Sequence, residues 1–359
     1  QSLAAPELAA KVTGEARYGI DVHLPGMLVA TVLHAPRFGA TLAGVDEAPA
    51  LAVPGVRRVV RLPDAVAVVA SGYWPARQGL AALKPEWRGG ETVDTTGLRD
   101  QLGALLQPDA QAGQAPEQDR EELARIEKSL AGGDGIIEGT YEVPLLAQAP
   151  LEPMNATARP TPDGGMELWL PTQAQSDAQQ DVAGALGIDK DRVAIHATLV
   201  GGGFGRRLAT DYAVQAGLIA REVQAPVKLI WSREQDMRRS TYRTMARARL
   251  RARLAPDGLP SVLRVEVATL HTYRRIGGLD DMPYDMPGLR LSYAGIDTAI
   301  PIGSWRSVDM SQNTFFLECF LDECAEAAGR DPFEFRSAML AGKPRERAVL
   351  DALRALSRW

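Results

Sequence analysis

The chain has 359 residues, a formal net charge of −5, and 45% hydrophobic and 24% charged residues. That length suggests two or three domains of about 100–200 residues each. The acidic balance argues against a general nucleic-acid binder, and no apolar run approaches the roughly 20 residues that a membrane span needs.

The N-terminal part of the chain predicts a small α+β unit. Residues 11–88 contain short β-type runs, separated by turn signals such as Pro25-Gly26 and Pro54-Gly55, and a helix is predicted over 75–83. Residues 91–135 are rich in Gln, Ala, Asp and Gly, and they predict a single helix, over 118–130. We interpret this second stretch as a linker or mobile excursion.

Regular patterns resume at residue 136. Strands are predicted over 136–143 and 166–172, followed by a helix over 174–186 that ends at Gly187, a residue suited to a helix C-terminus because it tolerates positive φ. A strand over 192–200 then leads into VGGGFGRR, which we call the glycine loop (residues 200–207), and a helix over 208–224 and a strand over 227–231 follow. The glycines therefore lie at a strand-to-helix turn.

Residues 245–254, MARARLRARL, alternate strictly between arginine or methionine and small or apolar residues. This period of two predicts a strand with one arginine-lined face, and Pro256-Asp257-Gly258 predicts a hairpin to a strand over 261–270. The arginine face is typical of a solvated, ion-paired sheet surface. The alternative is a binding site for a polyanion or an acidic partner subunit.

The C-terminal part predicts a Pro- and Gly-rich passage and then helices over 314–328 and 346–356. Cys319 and Cys324 are the only cysteines, and a helix turns residues five apart by about 140° away from each other. An iron–sulfur cluster needs about four thiolates, so we expect none in this chain. The histidines show no metal-ligand spacing, and we interpret them as structural; they are His23, His34, His196 and His271.

The glycine loop predicts a phosphate or pyrophosphate site. Glycines let the backbone approach a ligand, and the following helix N-terminus and the guanidinium groups of Arg206 and Arg207 favour an anion. The loop fits neither GxxxxGK[ST] nor GxGxxG, so ATP and NAD are not indicated. The alternative is a tight strand-to-helix crossover without a ligand.

Six separated blocks resemble the large, molybdenum-binding subunit of the xanthine dehydrogenase and aldehyde oxidase family, and are most similar to the isoquinoline 1-oxidoreductase β-subunit type. The blocks are KVTGEARYGIDVHLPGML, YEVPLLAQAPLEPMNATA, LWLPTQAQ, VGGGFGRR, WSREQDM and PIGSWRSVDMSQNTFFLECFLDE, in the family's order. The resemblance implies an α+β fold with a hammerhead-like domain over 1–90, a linker over 91–135, and the first molybdopterin-binding domain over 136–359.

Several site residues follow from the resemblance alone. The glycine loop lies beside the molybdopterin cofactor in this family, which implies cofactor contacts for Gly201, Gly202, Gly203, Phe204, Gly205 and Arg206. Arg306 resembles a catalytic arginine that orients substrate or cofactor, although by itself it reads as a surface or salt-bridged residue. The resemblance also implies that the backbone near Phe204 lies close to the metal centre, which makes Phe204 a second catalytic candidate, although by itself it reads as core. Gln173 and Gln312 are weaker cofactor candidates, with polar helix-end residues as the alternative.

The resemblance also implies a reaction and its partners. Family members hydroxylate an aldehyde or an aromatic N-heterocycle with oxygen from water, at a molybdenum held by the dithiolene of molybdopterin, often in its cytosine dinucleotide form. Electrons leave through a separate 2Fe–2S subunit, with a cytochrome c as a further candidate acceptor, and no nucleic acid is involved. Since Gln1 is not an initiator residue, we expect a leader or longer N-terminus, and bacterial cytoplasm, periplasm and membrane association all stay open.

Three departures from the family pattern limit what this chain does by itself. The family continues past Trp359 into a second molybdenum-binding half, which carries a general-base glutamate in a GxGE-type setting that we do not find here. Gln148 stands where His is usual, and Ala156 where Cys is frequent. We expect this chain to be a part of a molybdenum hydroxylase and to be inactive by itself. Its cofactor site can be empty in the isolated chain. The alternative is a non-catalytic cofactor-binding or assembly module, which a stop codon directly after Trp359 would favour.

Overall fold

The computed structural model of the chain describes residues 3, 5–106, 120–270 and 276–359. It contains two units, each built from three separate stretches of the chain. The first unit consists of Gln1–Thr92, Ala147–Arg243 and Ala299–Arg306. The second consists of Val93–Leu146, Thr244–Thr298 and Ser307–Trp359.

The described residues form strands and helices along the whole chain. The strands are β1 Leu28–His34, β2 Ala40–Gly44, β3 Val56–Arg61, β4 Ala65–Ala70, β5 Glu86–Gly89, β6 Ile136–Val143, β7 Asn155–Pro160, β8 Met166–Leu170, β9 Val193–Ala197, β10 Val227–Ile230, β11 Ala246–Leu254, β12 Pro260–Thr269 and β13 Leu289–Gly295. The helices are α1 Leu8–Thr13, α2 Ala48–Leu51, α3 Tyr73–Ala82, α4 Thr95–Leu105, α5 Arg120–Leu130, α6 Gln175–Leu186, α7 Asp211–Val223, α8 Arg233–Arg238, α9 Met310–Ala327, α10 Pro332–Met339 and α11 Pro344–Ser357.

The first unit is organised around a seven-stranded mixed sheet in the order β3-β4-β1-β10-β7-β8-β9. β4 reads AVAVVA and is buried at all six positions, as expected for a strand covered on both faces. β1 pairs antiparallel with β4 and parallel with β10. The sheet and helices α6 and α7 enclose one core, in which Leu168, Val182 and Trp231 are each at most 1% exposed.

The second unit has a four-stranded sheet in the order β13-β12-β11-β6. The alternation predicted for residues 245–254 is confirmed, because Ala246, Ala248, Leu250 and Ala252 are fully buried against the core that α9 covers. The predicted hairpin is also confirmed, since β11 pairs antiparallel with β12.

The arginine face of β11 is ion-paired and capped within the second unit. Arg249 and Arg251 both contact the carboxylate of Glu138. Arg251 Nη2 donates to Leu130 O at 2.7 Å, at the C-terminal end of α5, where a cation also faces the negative end of the helix dipole. The face is therefore ion-paired, as the first interpretation has it, but it is half-buried and contacted by α4 and α5 instead of being solvated.

The α+β fold class is confirmed, but the two units do not coincide with the predicted domain ranges. Strand β1 lies in the range 1–90 and yet shares its sheet with β10, about 200 residues further on. The predicted linker over 91–135 contains α4 and α5, which contact β11 and β12. Its middle, residues 107–119, lies outside the described residues, as does His271. The assignment of family domains to these ranges stays a prediction.

Candidate functional site

The glycine loop lies between β9 and α7 in the first unit, as the sequence predicts. Its last residues, Arg206–Leu208, form one 3₁₀ turn, and α7 begins at Asp211. The helix therefore starts three residues later than the pattern indicated. The N–H groups closest to the glycines are therefore those of the loop backbone, and not those at the N-terminus of α7.

Three of the four glycines are required by close contacts inside the protein. A Cβ on Gly201 would lie 2.5 Å from Glu152 Cβ, and a Cβ on Gly203 would lie 2.5 Å from Gln173 Oε1. A Cβ on Gly205 would lie 2.3 Å from the backbone oxygen of Ser304, and the φ of Gly205 is +95°. Only glycine fits at Gly205 without moving backbone. The loop thus packs against three separate segments of its own unit.

Five successive carbonyl groups of the loop accept hydrogen bonds from the protein. Among the described residues, no acceptor takes the N–H groups of Gly202, Gly203, Phe204 or Gly205. The acceptor and donor pairs are Gly201 O with Glu152 N (3.0 Å), Gly202 O with Arg207 Nε (2.8 Å), Gly203 O with Arg206 N (2.8 Å), Phe204 O with Arg306 N (2.9 Å) and Gly205 O with Leu208 N (3.1 Å).

This pattern orients the free donors. The C=O and N–H of a trans peptide point in opposite directions, and every peptide in the described residues is trans. Each of the four N–H groups is therefore directed away from the protein group that holds its carbonyl. Gly203 is a buried residue, whereas Gly202 and Gly205 are half-buried and Phe204 is exposed, so we expect the N–H of Gly203 to be the least open to water. The loop presents a short array of donors suited to an oxygen-rich, negatively charged group.

The two guanidinium groups of the loop, which the sequence assigned to a phosphate site, are buried and bound by protein groups. Arg206 and Arg207 are both 0% exposed. The guanidinium of Arg206 is bound by both oxygens of Asp211, at 2.9 and 2.8 Å, and lies 5.4 Å from the ring centroid of Trp231. Arg207 donates only to protein groups, which are Gly202 O, Pro171 O, Glu152 O and Glu152 Oε2. Both guanidinium groups are thus paired with a carboxylate of the protein, as a buried charge requires, although Arg206 Nε has no acceptor among the described residues.

Glu152 is a central acceptor that the sequence reasoning missed. Its Oε2 accepts from Gly201 N at 2.8 Å and from Arg207 Nη2 at 3.0 Å. Its Oε1 accepts from Ile20 N at 3.0 Å and from Asn155 Nδ2 at 2.9 Å. One buried carboxylate therefore joins the glycine loop to the N-terminal segment and to β7. Its presence in LEPMNATA was the only signal in the sequence.

The segment before Arg306 lies directly against the loop. Arg306 N donates to Phe204 O, and the side chain of Arg306 is exposed. Phe204 is 43% exposed, with a φ of +52° that is uncommon for an aromatic residue. The indole N–H of Trp305 is buried and has no acceptor among the described residues. The structure thus brings Phe204 and Arg306 together and leaves one further buried donor beside them.

The three glutamines of interest have different surroundings. Gln173 contacts the loop, because its N–H donates to Arg207 O and its side chain packs on Gly203. Gln148 donates to Thr241 O and Ser304 O and accepts from Ser240 Oγ, so it fixes the segment on which Gly205 packs. Gln312 belongs to the second unit, on α9, where it is 1% exposed and accepts from Ser311 Oγ.

A buried network at the C-terminal ends of β1 and β10 holds His34 neutral. Trp231 Nε1 can only donate, and it donates to Gln215 Oε1, which leaves Gln215 Nε2 to donate to His34 Nε2 at 2.9 Å. His34 Nδ1 therefore carries the proton and donates to Gln235 Oε1 at 2.9 Å. Burial lowers the pKa of His34, and a proton on Nε2 would also oppose the donor of Gln215. This confirms a structural role for His34.

The lowered pKa predicts a pH effect on stability. When the pH is above 6.5, the pKa of an ordinary histidine, His34 is neutral in both the folded and the unfolded protein. When the pH falls below 6.5, His34 gains a proton in the unfolded protein but not in the folded one. The free energy of unfolding should therefore fall as the pH drops below 6.5, with a contribution from His34 of about 1.4 kcal/mol per pH unit until the folded-state pKa is reached. Urea unfolding of wild type and His34→Gln at several pH values measures this slope. Equal slopes in the two proteins would contradict the prediction.

No group of three or more His, Cys, Asp or Glu residues in the described part of the chain could hold a metal ion. Within the same residues, no helix has both the length and the apolar character needed to cross a membrane.

Comparisons with known proteins place the chain in a family. Residues 110–340 match the model of the molybdopterin cofactor-binding domain. The isoquinoline 1-oxidoreductase subunit beta of Brevundimonas diminuta is 33% identical, over 98% of this chain and 48% of that protein. The membrane-bound aldehyde dehydrogenase [pyrroloquinoline-quinone] of Gluconacetobacter polyoxogenes is 29% identical, over 96% of this chain and 48% of that protein.

The fold comparison agrees. The crystal structure of quinoline 2-oxidoreductase from Pseudomonas putida 86 superimposes with a TM-score of 0.74 at 22% identity, covering 94% of this chain and 49% of that one. The chain thus spans about half the length of these relatives. It belongs to the molybdopterin-binding large subunits of the xanthine dehydrogenase and aldehyde oxidoreductase family.

Proposed function

We propose that this chain supplies one wall of the molybdopterin site of a molybdenum hydroxylase. The reaction is the hydroxylation of an aldehyde or an aromatic N-heterocycle with oxygen from water. The names of the two curated relatives, an isoquinoline oxidoreductase and an aldehyde dehydrogenase, support these two substrate classes. We further propose a hammerhead-like domain over residues 1–90 and the first molybdopterin-binding domain over 136–359.

The observation that carries the proposal is the donor array of the glycine loop. Molybdopterin carries a phosphate, and its cytosine dinucleotide form carries a pyrophosphate, so the cofactor offers many oxygen acceptors. Gly202, Gly203, Phe204 and Gly205 provide four successive N–H groups that no described residue accepts. Only Gly203 of these four is a buried residue, and an N–H there is costly unless a ligand or a water molecule accepts it. The residues present therefore fit the group, and these four would hold it.

The neighbouring side chains have distinct proposed tasks. The exposed guanidinium of Arg306 would orient substrate or an anionic cofactor group, because it lies next to Phe204 and is not buried. The exposed ring of Phe204 would form an apolar part of the pocket wall and exclude water. Gly201 and Gln173 would act indirectly, since their polar groups hold the loop, and Arg206 would do so through its backbone N–H, which donates to Gly203 O. Gln312 stays a proposed cofactor contact through its position in the family block around Arg306.

When bound, molybdenum supplies the acceptor for the two electrons that leave the substrate. We propose that these electrons pass to a separate 2Fe–2S subunit and then to an acceptor such as a cytochrome c. The word "subunit" in the name of the first relative supports a multi-subunit protein. We also propose that the general base lies outside these 359 residues, since their sequence lacks the GxGE setting.

Metal and cofactor analysis tests this function. The natural protein that contains the chain would be purified from a bacterial host that makes molybdopterin, and its molybdenum would be measured by mass spectrometry and its pterin by fluorescence after oxidation. Both are expected, together with turnover of an aldehyde or an N-heterocycle. The 359-residue chain alone should give no turnover. Turnover by the chain alone, or an active natural protein without molybdenum and pterin, would contradict the proposal.

A further inference from the structure

We propose that the buried Glu152–Arg207 ion pair is the positioning element of the glycine loop, and that it sets the direction in which the loop presents its N–H donors. This inference rests on the proposed function, because it concerns how the loop is prepared for the cofactor. It assigns to Arg207 a role opposite to the one its sequence suggested. Its guanidinium faces the protein interior and fixes the backbone, and no part of it is exposed.

Arg207 holds a loop carbonyl with a group that cannot easily turn. Its Nε donates to Gly202 O at 2.8 Å, while its two Nη atoms donate to Pro171 O at 3.1 Å and Glu152 O at 2.9 Å. Because the guanidinium is planar and its donors have fixed directions, three backbone acceptors determine its orientation. The carbonyl of Gly202 is thereby drawn inward, and the N–H of Gly203, in the same peptide unit, is turned the other way.

Glu152 fixes Gly201, the residue before Gly202. Its Oε2 accepts both from Gly201 N and from Arg207 Nη2, and its own N–H donates to Gly201 O. Gly201 is therefore held on both its N–H and its carbonyl, and the first free N–H is that of Gly202. This one carboxylate therefore determines that the N–H of Gly201 is engaged and that the free donors begin at Gly202.

The pair is suited to hold the loop still while the ligand is exchanged. Glu152 is 8% exposed and Arg207 is 0% exposed, so water competes little for their hydrogen bonds. The side chain of the adjacent Arg206 provides a contrast. It pairs with Asp211, whose side chain is 38% exposed, and among the described residues its guanidinium donates to no carbonyl of the loop.

This contrast supplies a matched control for the experiment. Glu152→Gln and Asp211→Asn each remove the carboxylate partner of one arginine in the same dipeptide. The full 359-residue chain would be labelled with ¹⁵N-glycine, and the amide signals of Gly201, Gly202, Gly203 and Gly205 followed during titration with inorganic phosphate and with molybdate. Thermal unfolding of each variant would be recorded in parallel, so that a general loss of stability is seen separately.

The expected result differs between the two variants. In wild type and Asp211→Asn the anions shift the signals of Gly202, Gly203 and Gly205 with similar Kd, whereas in folded Glu152→Gln the Kd rises at least about tenfold. A loss of stability alone would lower the Tm but leave the response of the folded protein intact. A wild-type Kd in folded Glu152→Gln, or an equal rise in Asp211→Asn, would overturn the inference. If Glu152→Gln does not fold, Arg207→Lys replaces it, since one ammonium group cannot serve all the acceptors of Arg207.

The same spectra separate this inference from the proposed function. If wild type responds to neither anion, the donor array is not an anion site, and the proposed function loses its main support. The positioning role is then decided by the signals without ligand. Glu152→Gln should move the signals of Gly202 and Gly203 as well as that of Gly201, while Asp211→Asn should leave all three in place. A change confined to Gly201 would overturn the positioning role.

Discussion

Gly205→Ala should lower the free energy of unfolding of the first unit by about 3 kcal/mol or more and remove bound cofactor from the natural protein. The new Cβ would lie 2.3 Å from Ser304 O and 2.6 Å from Ser304 C, so backbone must move. Movement of this segment also breaks the hydrogen bond from Arg306 N to Phe204 O. Urea unfolding followed by tryptophan fluorescence measures the effect, because five of the six tryptophans belong to this unit: Trp74, Trp87, Trp169, Trp231 and Trp305.

Gly187→Ala is the control for this substitution. Gly187 ends α6 with a φ of +63°, and nothing lies within 4 Å of a Cβ built there. Its replacement therefore reports the cost of positive φ alone, about 1 kcal/mol. If Gly205→Ala costs no more than Gly187→Ala and the cofactor stays bound, then the close approach of the loop to Ser304 is not what holds the site together.

Arg207→Met is expected to destabilise the first unit by about 3–5 kcal/mol. It removes all hydrogen bonds of the guanidinium and leaves the carboxylate of Glu152, 8% exposed, without its cationic partner. Three backbone oxygens, those of Gly202, Pro171 and Glu152, also lose their donor. Urea unfolding again provides the measurement.

The double variant with Glu152→Gln tests whether the loss comes from the pair. Removing both partners avoids the unpaired buried charge, so its cost should be smaller than the sum of the two single costs by about 1–3 kcal/mol. Additive costs would mean that Glu152 and Arg207 stabilise the unit independently. The cycle would then argue against a joint action of the two residues on the loop.

Elements with a strong local pattern were predictable from the sequence. The alternation in MARARLRARL gave β11, and the helix before Gly187 was confirmed with its left-handed C-terminal glycine. β7 was missed because NATARP has little strand character; it forms because β10 and β8 pair with it on both sides. α4 was missed because Gly97 and Gly103 weaken its helical pattern, although Asp94 caps it as an N-cap residue should.

The position of the glycine loop between a strand and a helix was predictable, but the direction of its groups was not. Four glycines before a helix mark a place where backbone approaches something closely, and the family blocks indicate the cofactor. Whether Arg206 and Arg207 face outward or inward depends on partners elsewhere in the fold. Glu152 lies 55 residues before Arg207, and no local rule connects the two. Ser304 is likewise far from Gly205 in the sequence. Its backbone oxygen shows why residue 205 must be glycine only when the fold brings the two segments together.

The glycine loop is therefore best described by its carbonyls. Five of them accept from the protein, and four N–H groups in the same stretch have no acceptor among the described residues. The alternative of a crossover without a ligand explains the close contacts of Gly201, Gly203 and Gly205. It does not explain why the N–H of Gly203, a buried residue, has no acceptor among the described residues.

A crystal structure of the natural protein with its cofactor bound tests the central claim most directly. Our account predicts cofactor oxygen atoms at about 2.7–3.2 Å from the nitrogen atoms of at least two of Gly202, Gly203, Phe204 and Gly205, with the guanidinium of Arg207 still on Gly202 O. A bound cofactor that leaves all four N–H groups to water or to protein acceptors, or that is held by the guanidinium of Arg207, would contradict it.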